Sequence, residues 1–149
     1  MSSPIKNKEN FIDSMEKRLV SGPEKRILRA LTKSAMLVDT TAKMSILRGS
    51  KSGSTVTKYK PSRTHQQSAA GEAPASDTGY LANSISHEVI VDNKGTSKSY
   101  TAIVSASAEY AIHLEFGTVN MGARPFLHPA LKENSKKIIG YFRKEGLIK

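Results

Sequence analysis

Two blocks near the C-terminus restrict the fold most: Tyr110-Ala111-Ile112-His113-Leu114-Glu115-Phe116-Gly117-Thr118 and Ala123-Arg124-Pro125-Phe126-Leu127-His128-Pro129-Ala130-Leu131. An acid sits inside an apolar run, a Gly-Thr pair breaks the run, and an Arg-Pro-Phe corner leads into a Pro-started amphipathic segment. Gly117 and Gly122 bracket a loop and can both take positive φ. Glu115 and Arg124 flank that loop. This spacing predicts a charge-assisted, bidentate bond between them, within or between subunits, that holds the loop in place. The alternative is two exposed charges worth little as a surface pair. Phe126, between Pro125 and Leu127, is expected as a core residue or a subunit-interface anchor, and Tyr110 suits either a structural or a contact role.

Upstream, Phe11, Ile12, Met15 and Leu19 share one face of a helix predicted over Glu9 to Val20. Ser21-Gly22-Pro23-Glu24 interrupts it. Ser21 and Glu24 have capping-box spacing, and Pro23 suits a first helical turn. A second helix is predicted from there to about Leu47, with Ile27, Leu31, Ala35, Val38, Ala42 and Ile46 as its apolar stripe. Residues 1–47 thus read as a helical hairpin.

Residues 48–77 lose all periodicity. They are rich in Ser, Gly, Thr, Pro and Gln, with Val56 and Tyr59 the main core-forming side chains. Such a segment buries too little apolar surface to offset the entropy of ordering. Arg48, Lys51, Lys58, Lys60 and Arg63 occur before Gln67 with no acid among them. The expectation is a long flexible basic loop, either simply solvated or an arm that orders against a partner subunit or DNA.

Residues 78–149 carry a β-hairpin and a C-terminal helix. Ile85, His87, Val89 and Val91 alternate with Ser86, Glu88 and Ile90, and Tyr100, Ala102, Val104 and Ala106 repeat the pattern after the polar link Asp92–Ser97. Residues 108–116 fit either a strand or a short helix. Pro129 can open the last helix, with Leu127, Leu131, Ile138 and Phe142 as its buried stripe, and Gly146 marks its end. The fold class is α+β: an N-terminal helical hairpin, a small antiparallel sheet and a C-terminal helix in a single domain, with the long loop between.

Composition removes several kinds of chemistry. The 149 residues hold no cysteine, so neither disulfides nor thiolate metal sites form. His113 and Glu115 make half of a zinc-deaminase signature whose other half needs cysteine. His113, Glu115 and His128 could form a His₂-carboxylate site only by folding, since no His-Glu-x-x-His helix is present. Gly49-Ser50-Lys51-Ser52-Gly53 places lysine where a nucleophile elbow needs serine. No phosphate loop or dinucleotide fingerprint occurs, no cofactor is implied, and enzyme activity is not expected. No apolar run nears the ~20 residues that span a bilayer, and the start lacks the apolar core of a secretory signal. The net charge of +10 suits nucleic acid, an acidic protein surface or plain solubility.

In order and spacing, the C-terminal half resembles the tail-completion, or head–tail joining, proteins of long-tailed bacteriophages. The matching positions are Thr78, Gly79, Leu81, Ser84 and Ile85, then Tyr110 to Thr118, then Arg124 to Leu131. The resemblance implies a short helix before the Gly-Thr loop. It also implies a neck component of the virion, assembled in the host cytoplasm and joining head to tail. Structural or interface roles would then fall on Tyr110, Leu114, Glu115, Phe116, Gly117, Thr118, Arg124, Pro125 and Phe126. The implied partners are further copies of the chain, with a hexameric ring the natural expectation, and other neck and tail proteins: a head-completion or connector ring, a tail terminator or the tail tube. A small basic nucleic-acid-binding protein is the alternative.

Overall fold

A 26-residue helix, α1 (Pro23–Arg48), is the longest element in a computed structural model that describes residues 22–59 and 62–149. Pro23 stands in its first turn, where a missing N–H removes no helical bond. Ala35, Val38, Ala42 and Ile46 of the expected stripe are buried, joined by Ala30, Ser34 and Asp39. The expected preceding helix over Glu9 to Val20, and the serine of the capping box, lie outside the described residues. Glu24 pairs instead with Lys98, its carboxylate 3.1 Å from the ammonium.

The chain continues as β1 (Thr55–Tyr59), β2 (Ser62–Gln66), a five-residue helix α2 (Tyr80–Ser84), β3 (Ile85–Lys94), β4 (Ser97–Ala106), a six-residue helix α3 (Ala111–Phe116) and α4 (Leu127–Lys144). Helices combine with two separate two-stranded antiparallel sheets, so the α+β class holds. β3 and β4 pair from Ile85↔Ala106 to Lys94↔Ser97. The connection expected over Asp92–Ser97 is shorter, since only Gly95 and Thr96 lie between the strands. Helix α1 packs against β3, β4 and α4. The alternation read from sequence sets the inward face, with Ile85 buried and His87, Val89, Val91, Ala102 and Val104 half-buried.

Segment 48–77 needs a correction, because it carries the β1–β2 hairpin, paired from Thr55↔Gln66 to Tyr59↔Ser62. Thr55, Val56, Thr57 and Tyr59 suit an extended backbone. The fastening comes from acids downstream of the basic stretch. Glu72 accepts from the Ser52 hydroxyl (2.5 Å), the Ser52 amide (3.0 Å) and the Ala69 amide (2.9 Å). Asp77 pairs with both Lys58 and Arg63, the latter at 2.8 Å.

The core is small and half alanine. Val38, Ala42, Ile46, Leu81, Ala82, Ile85, Ala108, Ala111, Phe126 and Ala130 form one cluster, in which Phe126 and Ile46 are the largest fully buried apolar side chains. Asn134, on the buried face of α4, donates to the Thr41 hydroxyl (2.9 Å) and the Ala130 carbonyl (2.8 Å), and the first of these bonds joins α4 to α1. The predicted α4 stripe needs correction, since Leu127, Ile138 and Phe142 are half-buried rather than buried. Ala130 and Asn134 face α1, while Leu131 is 53% exposed. At the helix end, Gly146 has φ 70°, its amide donates to the Arg143 carbonyl, and the Leu147 amide reaches back to Phe142. That pair of bonds is a Schellman stop, as Gly146 suggested.

Candidate functional site

The two motif blocks meet at one corner, built from α3, the loop 117–126 and the first turn of α4. The run at 108–116, open between strand and helix, becomes α3. Its cap Tyr110 is 43% exposed and lies 6.2 Å, ring centre to ring centre, from Tyr80 at the head of α2. Burial, and then proximity to Tyr80, pushes the Tyr110 hydroxyl above its ordinary range. Leu114 packs against the core, whereas Ile112 and Phe116 point out, at 61% and 78% exposure.

Glu115 does not pair with Arg124. Its Oε2 accepts from the amides of Phe126 (2.8 Å) and Leu127 (3.1 Å), and its Oε1 accepts from the amide of His128 (2.8 Å). The first turn of a helix leaves four N–H groups with no partner inside the helix. Here Phe126 is the cap, Leu127 and His128 follow it, and the next position is Pro129, which has no N–H at all. One carboxylate and one proline therefore satisfy the whole start of α4. The negative charge also sits at the positive end of the helix dipole. Pro129 supports the start of α4 from its third position rather than opening it.

Arg124 is engaged elsewhere. Its Nε donates to the Ser68 carbonyl (3.1 Å), its amide to the Leu114 carbonyl (2.7 Å), and the neighbouring Ala123 carbonyl accepts from the Gly71 amide (2.8 Å). The arginine thus ties the corner to the segment that follows the β1–β2 hairpin. The loop closes through reciprocal Thr118–Met121 backbone bonds of 2.8 and 3.2 Å, leaving Val119 fully exposed at its tip. Gly117 takes φ 78°, and a Cβ there would stand 2.8 Å from both the Ala123 nitrogen and the Met121 oxygen, so only glycine fits. Gly122, expected to share that conformation, does not adopt positive φ. It is needed for space, since a Cβ would come 2.7 Å from the Ala70 Cβ. Thr118 is exposed, Pro125 half-buried and Phe126 buried in the core.

The basic residues of the 48–77 segment are placed individually. The Lys51 ammonium donates to the carbonyls of Ser45 (3.0 Å) and Ala73 (2.8 Å), closing the C-terminal end of α1. Burial lowers its pKa, with Glu72 pulling the other way. Lys58 and Arg63 are joined to Asp77, whose carboxyl is held below its usual range chiefly by the Lys58 hydrogen bond. Arg48 is exposed at the end of α1, and Lys60 lies outside the described residues. These partners were hidden from the sequence reading because Glu72 and Asp77 lie beyond the acid-free stretch that defined the arm.

Sequence reasoning also missed a buried polar contact between α1 and β3. Asp39 is ion-paired with Lys43 (2.7 Å) and lies 2.6 Å from Nδ1 of His87. The Asp39/Lys43 helical spacing and the inward place of His87 on β3 were the available signals. Among the described residues, no group of three or more His, Asp or Glu side chains is arranged to hold a metal. No described helix is long and apolar enough to cross a membrane. Neither a protein-family profile, nor a curated protein sequence, nor a solved structure matches this chain.

Proposed function

We propose that the chain is a neck component of a long-tailed bacteriophage or prophage, joining head to tail by ring assembly and making or breaking no covalent bond. The observation that carries this reading is the fate of the motif residues. Glu115, Gly117, Arg124 and Phe126 are spent on holding one rigid corner, with both Glu115 oxygens engaged by backbone amides. Beside them, Tyr110, Ile112, Phe116 and Val119 are turned outward. A corner that fixes backbone and presents apolar side chains suits protein–protein docking, whereas general acid–base chemistry needs a carboxylate within reach of a substrate proton. Repeated heterologous contacts between identical subunits close into a ring when the rotation permits, and a hexamer fits this role. Head-completion, connector, tail-terminator or tail-tube proteins are its partners, and the virion is its place of work.

Deleting the gene from a producing phage tests the reading. Unjoined heads and tails under the electron microscope are expected, and normal infectious virions would end it. Nucleic-acid binding stays as a second reading because Lys132, Lys136, Lys137, Arg143 and Lys144 are all exposed on α4. Duplex DNA affinity that falls steeply with salt, through counterion release, would favour that reading over the first.

A further inference from the structure

We propose that the cleft between α1, α4 and β4 is a docking groove for a short amphipathic helix of another protein, apolar on one face and acidic on the other. The cleft has a volume of about 720 Å³. Leu31, Ala35 and Val38 of α1 form its floor, spaced four and three residues apart along one face. Leu131, Ile138 and Phe142 of α4 form one wall, again at helical spacing. The opposite wall is β4, through Val104 and Ala106, and among the described residues β4 pairs only with β3. Two neighbouring helices that expose parallel apolar rows are filled by the ridge of a third helix. The mouth is apolar as well, with Phe116, Ile112 and Leu131 exposed by 78%, 61% and 53%.

Charge selects the occupant. One position further round α4 from the lining residues Leu131 and Phe142 come Lys132 and Arg143, both exposed. Lys136 extends that basic flank. Glu115 is the one acid lining the cleft among the described residues, and both its oxygens are taken by the amides of Phe126, Leu127 and His128. The groove therefore offers positive charge along its rim and no free negative charge within. An acidic helix gains from this local field, whereas a basic one is repelled by it. The chemistry of the groove does not depend on whether the chain works in a phage neck.

The test titrates the full chain, by fluorescence anisotropy, against two labelled helical peptides with the same leucine stripe. One carries glutamate on its polar face and the other lysine. The acidic peptide should bind saturably and at least about tenfold more tightly than the basic one, with the advantage shrinking as salt rises. Leu131→Ser, at an exposed position that leaves the fold intact by circular dichroism, should weaken both peptides. Lys132→Glu should weaken the acidic peptide alone, and Lys94→Glu, on the remote hairpin, neither. Equal affinity for the two peptides, no binding by either, or indifference to Leu131→Ser would overturn the proposal. So would a dimer in sedimentation analysis that Leu131→Ser dissociates, because the groove would then belong to a second copy. Loss of virion joining on gene deletion is a separate readout, so failure here leaves the assembly reading standing.

Discussion

Along β3, Ile85, His87, Val89 and Val91 turn inward onto α1. Along β1 only Val56 is half-buried, and Tyr59 at its end is 83% exposed. Both hairpins are two-stranded and antiparallel, and neither topology is stable alone in water. The β3–β4 hairpin gains its stability by burying an apolar face against a helix. The β1–β2 hairpin makes at most slight contact with the other regular elements; Asp77 fastens it near its tip, through Lys58 and Arg63, and Glu72 and a backbone bond from Gly53 to Gln67 fasten its base. One secondary structure is thus supported in two ways, and the two supports respond differently to mutation, salt and pH.

The largest expected effect lies on the buried side. Ile85→Ala should cost about 2–5 kcal/mol of global stability in urea denaturation, as for other buried large-to-small changes. Val56→Ala should hardly move the midpoint. Comparable losses at the two positions would erase the contrast between the hairpins.

Next comes the corner. Glu115→Ala strands the amides of Phe126, Leu127 and His128 at the start of α4, at an expected cost of about 1–3 kcal/mol. Faster hydrogen exchange at Leu127 and His128 would locate the damage. An unchanged exchange pattern would show that the carboxylate is not the cap.

Smaller and more local is Asp77→Asn. It removes the charge shared by Lys58 and Arg63, so amides of β1 and β2 should exchange faster while the global unfolding midpoint stays in place. A shift of the whole unfolding curve would mean that this hairpin is integral to the core after all.

Smallest is a pH effect at Glu72. Hydrogen bonds from the Ser52 hydroxyl, then from the Ala69 and Ser52 amides, hold its carboxyl down to about 2 from an ordinary 4.5. A depressed acid stabilises the folded form fully above its unfolded pKa, and that support is lost as pH falls through the folded value. The base of the β1–β2 hairpin should therefore loosen between about pH 4.5 and pH 2, seen as shifts of the Ser52 and Ala69 amide resonances. Glu72→Gln should remove that transition and leave the resonances of β3–β4 untouched.

The contrast between the hairpins also separates what could be read from the chain alone. The period-two pattern of β3 and β4 was legible because an inward face must be apolar. The polar β1–β2 hairpin left no such trace, since its fasteners are acids beyond its own strands. At the corner, the importance of Glu115, Gly117, Arg124 and Phe126 was visible as a pattern of residue types. The partners of Glu115 and Arg124 were not.

The sequence by itself determined the repeating elements: the apolar stripe of α1, the alternation of β3 and β4, the helix that Gly146 ends, and a surplus of positive charge without any thiol. These follow from the repeat of the backbone, a local property that side-chain order records directly. The tertiary structure alone decided that Glu115 caps α4, that Arg124 reaches Ser68, that Asp39 meets His87, and that Leu131 opens onto a groove. Hydrogen bonding is short-ranged and a carboxylate can accept from an arginine or from an amide, so the choice goes to whichever donor the packed fold brings within about 3 Å.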